Sequence, residues 1–439
     1  MTQADTLIHA RWIAPVEPDN TVLEDHAIAI RDGVIAAILP GEEARATITA
    51  DTVHDLGDHL LIPGLINAHT HAAMTLMRGL ADDLPLMEWL KGHIWPAEGK
   101  HIGPEFVRDG SELAAAEMLL SGTTCFNDMY FFPDDTAEAA VAAGIRACVG
   151  LIVIDFPTPW AQDPAEYFAR GEAVHQRWRD EPLVTTAMAP HGPYTVSDGP
   201  LRSVADLAEK LDIPIHIHLH ETAHEVEESL RLHGRRPLQR LADLGLVSER
   251  LLAIHATQVS DDDRATLAAA GAHVVHCPQS NQKLASGTCP VETLRGAGIN
   301  VALGTDGAAS NNDLDLLAEM QSAAMVAKAQ TGDAAALPAE AALAMATLGG
   351  ARALRLDHAL GSLVPGKQAD IVAVDLDRLT TQPVYHPISQ LIYAAGREQV
   401  NHVWVGGQHV VANGHLATLD PLALKEKART WQARLAANA

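Results

Sequence analysis

Residues 63–71 read Pro-Gly-Leu-Ile-Asn-Ala-His-Thr-His, an apolar stretch that ends in two histidines, His69 and His71. In a β-strand, residues two apart point to the same face, which is the geometry that two ligands of one metal ion need. Because the segment begins apolar and ends polar, we expect the pair near the carboxyl end of a strand. An H-x-H pair alone leaves a second interpretation open, namely two polar residues at a strand end without a metal.

Short apolar runs alternate with helical stretches through the middle of the chain. The runs are IRACVGLIVI, LVTTAMAP, IPIHIHLHE, RLLAIHA, AHVVHCP and INVALGTDG. Repeated strand-then-helix units predict parallel strands covered by helices. Residues 64–362 have the length of a (β/α)8 barrel, which needs ~250 residues before insertions and carries its active site at the carboxyl ends of its strands.

Both ends of the chain have a different pattern, which is typical of β-hairpins. HAIAI and VIAAILP flank the turn Arg31-Asp32-Gly33, and VNHVWV and QHVVANG flank Gly406-Gly407. We therefore expect residues 1–63 and 363–439 to form one small β-domain beside a barrel of residues 64–362.

Composition excludes several classes of partner. The formal charge of −25 is spread along the chain without a basic block, so nucleic acids and anionic membrane surfaces would be repelled. The N-terminal sequence MTQADTLIHARW has no secretion-signal pattern, and no stretch of about 18 apolar residues occurs. We expect a cytoplasmic protein.

The four cysteines are widely spaced, without a CxxC motif, and are expected to be buried, reduced thiols.

Histidine is unusually frequent at 23 residues, which points to metal binding or proton transfer. In the run that contains His216, His218 and His220, strand alternation predicts all three rings on one face, at successive depths. Three buried imidazoles need partners or a metal, and we expect one of them to reach the ion. Glu221 follows at the strand end, where a general acid or base could act on a substrate above the metal.

Two later runs end in the same way. His255 ends one apolar run, and Asp306 follows another between two glycines. A neutral histidine and a carboxylate there could complete a nitrogen and oxygen site for a divalent metal, with one position open for water. For His255, a structural role as a hydrogen-bonded barrel histidine is as good an interpretation as a role at the metal. For Asp306, packing is a poor explanation of a carboxylate beside glycines at a strand end.

Taken together, H-x-H, H-x-x-E, His and Asp, each after a separate β-run and in this order, resemble the amidohydrolase superfamily. The resemblance covers essentially the whole chain, including Pro63-Gly64 and the closing segment GSLVPGKQADIV from residue 361. It implies a distorted (β/α)8 TIM barrel with a small β-sandwich formed by both termini. It also implies a homo-oligomer, and it selects His218 as the ligand from the triple-histidine strand.

The resemblance further implies a hydrolytic mechanism around one divalent metal, zinc, with iron and manganese as alternatives. Its ligands would be His69, His71, His218 and Asp306. Asp306 would also accept a proton from water, Glu221 would protonate a ring nitrogen and then the leaving ammonia, and His255 would orient the water or the developing alkoxide. An acid at Glu221 favours deamination over dechlorination, because ammonia leaves only after protonation whereas chloride needs no proton.

Within the superfamily, HTHAAMTLMRGLADDLPLMEWLKGHIWPAEGK and APHGPY look most like 5-methylthioadenosine/S-adenosylhomocysteine deaminases. The match implies that Trp89 stacks on an apolar group, that Glu98 binds ribose hydroxyls and that His191 bonds the purine. A carboxylate suits vicinal hydroxyls because each oxygen can accept one O–H. Without the resemblance, helix packing is an equal interpretation of Trp89, and a solvated loop carboxylate is the better interpretation of Glu98.

One departure affects the expected substrate. Some members bind the amino-acid tail of S-adenosylhomocysteine with arginines after the strand that follows Gly144-Ile-Arg146, but here that stretch reads CVGLIVIDFPTPW, with no basic residue. We therefore expect efficient use of 5′-methylthioadenosine or adenosine and weaker use of S-adenosylhomocysteine. The sequence leaves open a guanine or 8-oxoguanine deaminase, a triazine hydrolase and, in another class, a non-catalytic metal-binding protein.

Overall fold

The computed structural model describes residues 2–19 and 21–437. In this part of the chain, strands and one short helix precede the barrel: β1 (Thr2–Ile13), β2 (Leu23–Arg31), β3 (Val34–Pro40), α1 (Gly41–Thr47), β4 (Ile48–Asp55) and β5 (His59–Pro63). β2 and β3 form the predicted hairpin around Asp32-Gly33.

The barrel consists of eight parallel strands, each hydrogen-bonded to the next along the chain. They are β6 (Leu65–Thr70), β7 (Thr123–Asp128), β8 (Arg146–Val153), β9 (Val184–Pro190), β10 (Ile215–Leu219), β11 (Leu251–His255), β12 (His273–His276) and β13 (Asn300–Leu303). Nearly all their residues are buried, as expected for strands covered on both faces.

Helices connect these strands and cover the barrel. After β6 come a 3₁₀ turn (Ala72–Met77), α2 (Leu86–Trp89), a π-helical turn (Leu90–Ile94), α3 (Trp95–His101) and α4 (Pro104–Leu120). The next helices are α5 (Pro133–Ala143), α6 (Pro164–Trp178), α7 (Asp198–Leu211), α8 (Ala223–His233), α9 (Pro237–Asp243), α10 (Asp261–Ala270), α11 (Pro278–Lys283) and α12 (Val291–Gly296). After β13 follow α13 (Leu316–Thr331), α14 (Ala339–Ala344), a π-helical turn (Met345–Gly349) and α15 (Gly350–Ala353).

The C-terminal part returns to the first strands. Its elements are β14 (Ile371–Asp375), α16 (Pro387–Tyr393), a 3₁₀ turn (Arg397–Gln399), β15 (Val400–Val405), β16 (Gln408–Ala412), β17 (His415–Leu416) and α17 (Pro421–Ala436). β14 pairs antiparallel with β5, which joins both chain ends into one sheet in the order β17-β16-β15-β14-β5-β1-β2-β3, with β4 also paired to β1. Ile8 and Ile28 of the N-terminal half share a core with Ile371 and Trp404. The predicted barrel and the β-domain built from both termini are confirmed.

Two close backbone approaches position the first barrel strand. At Gly64, between β5 and β6, a Cβ atom would lie 2.0 Å from Thr124 Oγ1, so only glycine fits. At Gly304, a Cβ would lie 2.9 Å from His69, where β13 meets β6. There the Asp306 N–H donates to the His69 carbonyl at 3.0 Å, which brings the first and last strands together outside a regular ladder.

Two further sequence expectations concern the cysteines and the membrane. All four cysteines are buried and free. Among the residues that the structure describes, the helices are too short or too polar to cross a bilayer.

Candidate active site

The structure brings His69, His71, His218 and Asp306 together at one end of the barrel. One ligand atom from each lies within 4.8 Å of the others. His69 is near the end of β6, His71 just beyond it, His218 near the end of β10 and Asp306 just after β13. The carboxyl ends of parallel barrel strands meet at one face, which explains why residues so far apart in sequence converge.

Backbone carbonyls orient two of these imidazoles. His71 Nδ1 donates to the Met129 carbonyl at 2.6 Å, and His218 Nδ1 donates to the His191 carbonyl, also at 2.6 Å. Since a carbonyl only accepts, both Nδ1 atoms carry the proton and both Nε2 atoms present a lone pair. This is the usual arrangement of histidines that ligate a metal.

The deepest imidazole, His69, has a buried nitrogen without a hydrogen-bond partner. His69 Nδ1 is hydrogen-bonded to His216 Nε2 at 2.7 Å, whereas His69 Nε2 lies 3.3 Å from Asp306 Oδ1 without forming an aligned hydrogen bond. An unpartnered buried polar atom is costly. Three imidazole nitrogens and one carboxylate, with the orphaned Nε2 among them, therefore fit a divalent metal of the zinc type.

Asp306 is held as an ionised carboxylate. Its Oδ2 accepts from the Ser280 hydroxyl at 2.6 Å and from the Ser310 hydroxyl at 2.8 Å, and Oδ1 accepts from the Gly307 N–H at 2.8 Å. Burial would raise the pKa of Asp306, but its interactions with His69 and His71 outweigh burial and hold that pKa well below the usual range.

The imidazoles respond differently to the same carboxylate. Burial lowers the pKa of His69 to about 4 and that of His218 well below its usual value, which favours the neutral form that a metal requires. At His71 burial also acts to lower the pKa, but the hydrogen bond and charge of Asp306 raise it to about 9, so a metal ion would take the place of the proton on Nε2.

Glu221 lies across the cavity from this group, with Oε1 3.9 Å from His255 Nε2. Burial and the charge of Asp306 raise the pKa of Glu221, although His255 acts against them. The Glu225 carboxylate accepts the backbone N–H of Glu221 at 2.7 Å, which fixes the turn that carries the acid. His255 Nδ1 is hydrogen-bonded to Asn281 Oδ1 at 2.9 Å, so its Nε2 faces Glu221.

Three of the strand ends have a left-handed backbone, with φ of 56° at His220, 73° at His255 and 62° at Asp306. Such conformations cost about 1–3 kcal/mol each and concentrate at functional sites. They also correct the prediction for His220. Because β10 ends at Leu219, strand alternation stops, and His220 Nε2 accepts the Leu238 N–H at 3.1 Å instead of joining the other histidines.

The predicted substrate residues Trp89, Glu98 and His191 line the same cavity as the metal-ligand candidates. The Tyr130 hydroxyl donates to Glu98 Oε1 at 2.8 Å, and burial of the carboxylate raises the pKa of Glu98 to about 7. Burial, with the charges of His71 and His69, lowers the pKa of His191 to about 3, so this ring is neutral. Trp89 is 5% exposed and packs in an apolar cluster while facing the cavity.

The far wall of the cavity is apolar. The segment after β8 contributes Ile154, Phe156, Pro157 and Pro159. Among the described residues that line this cavity, none is lysine or arginine. Arg146, at the start of β8, instead forms an ion pair with Asp370 at 2.9 Å.

Several residues that hold the site side chains in place by hydrogen bonds were not predicted from the sequence. Tyr130, two residues beyond β7, holds Glu98, and Ser280 and Asn281 lie on α11, just beyond β12. A systematic search for polar side chains just beyond every apolar run would have marked these three. His216 was recognised only as part of a histidine strand, and its bond to His69 left no signal in the sequence.

Comparisons with known proteins agree with this geometry. The model of the amidohydrolase family matches residues 60–410. The chain is 50% identical, over 99% of both chains, to a 5-methylthioadenosine/S-adenosylhomocysteine deaminase from Teredinibacter turnerae. A crystal structure of a zinc-bound adenosine deaminase from Xanthomonas campestris superposes with a TM-score of 0.98 at 52% identity, over 99% of each chain.

A more distant structure retains the same fold. A zinc-complexed atrazine chlorohydrolase from Arthrobacter aurescens superposes with a TM-score of 0.90 at 25% identity, covering 97% of this chain and 100% of that chain. The family model begins within β5, covers the whole barrel and ends within β16, and the full-length relatives leave almost no residue unmatched. The chain therefore belongs to the amidohydrolase family.

Proposed function

We propose that this protein is a zinc-dependent deaminase that converts an adenine nucleoside, 5′-methylthioadenosine or adenosine, to the corresponding inosine analogue and ammonia. The observation that carries the proposal is a pair of carboxylates on one cavity, with Asp306 among the metal-ligand candidates and Glu221 beside His255. Asp306 is held ionised and Glu221 is made easier to protonate. Such a pair supplies a base and an acid at the same pH.

His69, His71, His218 and Asp306 would hold the metal. When bound, the ion supplies an acidified water molecule, whose pKa falls from about 15.7 to about 7. The Nδ1–H bonds to Met129 and His191 keep the histidine lone pairs aimed at the ion. Zinc is supported by the zinc-bound adenosine deaminase that shares 52% of this sequence.

Two carboxylates move the protons. The ionised Asp306 accepts a proton from the attacking water, and protonated Glu221 donates one to a ring nitrogen of the purine. The C–O bond forms at the carbon that carries the amino group. The ionised Glu221 then passes the proton of the new hydroxyl group to the amino group, the C–N bond breaks, and ammonia leaves while the ring carbonyl remains. Return of the proton held by Asp306 to Glu221 restores both carboxyl groups for the next cycle. His255 Nε2, 3.9 Å from Glu221, orients the oxygen at that carbon.

The other side of the cavity binds the nucleoside. Each Glu98 oxygen accepts a hydrogen bond from one ribose hydroxyl, and the Tyr130 hydroxyl, which also donates to Glu98, keeps the carboxylate in place. Trp89 stacks against an apolar group of the substrate, and neutral His191 hydrogen-bonds the purine. The position of the three residues around one cavity supports these roles.

The apolar far wall favours a substrate with a small or apolar 5′ group. A methylthio group suits Phe156 and Pro157, whereas the carboxylate of S-adenosylhomocysteine would meet no cation among the described lining residues. Adenosine and 5′-methylthioadenosine are therefore the proposed substrates, and S-adenosylhomocysteine a poorer one.

Replacement of the acid tests the mechanism. In Glu221→Gln we expect turnover to fall by about 10²–10⁴-fold, the usual contribution of general acid–base catalysis, while bound zinc is unchanged. Glu227→Gln, an exposed glutamate on α8, is the matched control and should retain wild-type turnover. Turnover by metal-replete Glu221→Gln close to that of the wild type would rule out the assigned role.

Guanine, 8-oxoguanine and triazine substrates have no ribose for Glu98 to bind, so they would lack the contact that this carboxylate provides. A homo-oligomer, a cytoplasmic location, the absence of nucleic-acid partners and the division at residues 63/64 and 362/363 remain predictions.

A further inference from the structure

A second group of histidines lies in the β-domain, away from the candidate active site. It contains His54 on β4, His402 on β15 and His409 on β16. The ring centroids are 5.0 Å apart for His54 and His409, 5.1 Å for His402 and His409, and 6.1 Å for His54 and His402. This histidine triad takes no part in the proposed reaction.

The spacing of the triad resembles that of the catalytic histidines. Among the imidazoles assigned to the active-site metal, centroids are 4.8 Å apart for His69 and His71, 4.9 Å for His69 and His218, and 5.3 Å for His71 and His218. Three imidazoles around one ion require separations of this size, because each nitrogen sits about 2.0–2.1 Å from the metal. Two of the three distances in the triad fall in this range.

Hydrogen bonds prepare His409 as a ligand. Its Nε2 lies 3.0 Å from His402 Nδ1. The backbone of Val411 acts to raise the pKa of His409, as a carbonyl that accepts from an imidazole N–H does. A ring that donates one N–H to a carbonyl keeps its other nitrogen as a lone pair, the same arrangement as His71 with Met129. The lone pair of His409 is therefore directed at the nitrogen of a second histidine.

The surroundings keep these rings neutral and oriented. Burial, together with the neighbouring histidines, lowers the pKa of His402 and of His409 to about 4, and burial also lowers the pKa of His54. Trp404 stacks on His409 with centroids 4.5 Å apart and planes 11° apart. Neutral imidazole is the form that binds zinc, copper and nickel.

A fourth histidine nearby, His59, has both ring nitrogens engaged. Its Nδ1 donates to the Leu56 carbonyl, and its Nε2 accepts from Asn401 Nδ2 at 3.1 Å. The candidate ligand set is therefore restricted to three residues, which leaves one tetrahedral position for water.

We propose that His54, His402 and His409 form a second binding site for a divalent transition metal ion, with zinc as the probe. Among the described residues, a cluster with ligand atoms within 4.8 Å of one another is found only at His69, His71, His218 and Asp306. The His54 ring must therefore turn toward His402 and His409 when the ion binds. His402 exchanges its Nδ1 proton for one on Nε2, with no net change in charge, and both facing nitrogens then coordinate the ion.

The ion would link distant parts of the chain. His54 belongs to the N-terminal half of the β-domain and the other two residues to its C-terminal half. A ligand that binds only the folded form stabilises it in proportion to its free concentration relative to its Kd. The ion would thus cross-link the N-terminal and C-terminal parts of the β-domain.

The test compares zinc content and thermal stability in the full-length enzyme. Wild type, His54→Gln, His409→Gln and the control His415→Gln, an exposed histidine of the same domain, are dialysed against excess free ZnCl2 and analysed by mass spectrometry for zinc per chain. We expect two zinc ions per chain in the wild type and the control, and one in each triad variant. Added ZnCl2 should raise the Tm of the wild type and of the His415→Gln control more than that of the two triad variants.

Deaminase activity equal to that of the wild type verifies that each variant is folded, because the triad lies outside the active site. A single zinc ion in the wild type would overturn the proposal. So would a second ion that persists in either triad variant, since that ion would bind elsewhere.

Discussion

The two walls of the active-site cavity are built in different ways. The metal wall consists of side chains at strand ends, including His69, His218 and Asp306, which are at most 5% exposed. His69 is held by a hydrogen bond to His216, His218 by one to a backbone carbonyl, and Asp306 by two serine hydroxyls and a backbone N–H. The nucleoside wall comes mainly from the helical segment of α2 and α3, with His191 added from just beyond β9. There Glu98 is only partly buried, and the Tyr130 hydroxyl holds it.

This difference suggests that the metal wall determines the rate of the chemical step and that the nucleoside wall determines how tightly the substrate binds. A ligand set fixed by a β-barrel tolerates little displacement, whereas a carboxylate on a short helical segment can vary with the substrate. We therefore expect damage to the metal wall to reduce kcat and damage to the nucleoside wall to raise KM.

Metal removal should have the largest effect. Chelation leaves the four ligand side chains in place but removes the acidification of water, so activity should fall on the order of 10³-fold or more. Zinc added back should restore it, and circular dichroism should show that the barrel remains folded. Full activity in a sample with less than a tenth of an equivalent of metal would contradict the assignment of the metal wall.

Glu98→Gln should have a smaller effect of a different kind. The glutamine amide oxygen still accepts one ribose hydroxyl, so the loss of one charge-assisted hydrogen bond is expected to raise KM for adenosine by about 10- to 100-fold, since such a bond contributes about 1.5–3 kcal/mol. Glu88→Gln, an exposed glutamate on the same helical segment, is the control. A variant that loses kcat while keeping KM would mean that Glu98 belongs to the catalytic machinery.

The pH dependence of binding should be the most modest effect. Burial raises the pKa of Glu98 to about 7, so the carboxylate is ionised above that pH and protonated below it. Because only the ionised form accepts both ribose hydroxyls, KM for adenosine should rise as the pH falls through about 7. The rise should be absent in Glu98→Gln, and an identical profile in wild type and variant would assign the titration to another group.

The same contrast explains how much could be predicted from sequence. The fold and the metal wall were accessible because each ligand follows an apolar run, and in parallel strands such positions converge at one end of the barrel. His220 was predicted wrongly, since its left-handed φ of 56° ends the strand alternation one residue early.

The nucleoside wall offered no such pattern. Glu98 and Trp89 lie in short helical turns interrupted by a π-helical turn, and only the family resemblance marked them. Tyr130 and His216 act through hydrogen bonds to residues 32 and 147 positions away, which no local pattern encodes. The parallel pairing of β4 with β1 likewise depends on contacts across the β-domain.

Ammonia release by the zinc-replete enzyme identifies the substrate when 5′-methylthioadenosine, adenosine, S-adenosylhomocysteine, guanine and an aminotriazine are compared in one assay. We expect the highest kcat/KM for 5′-methylthioadenosine and adenosine. We expect a value about tenfold or more lower for S-adenosylhomocysteine, whose carboxylate meets no lysine or arginine among the described residues that line the cavity, and no release above background from guanine or the triazine. Faster release from guanine or the triazine than from both nucleosides would contradict the assignment of the enzyme as an adenine-nucleoside deaminase.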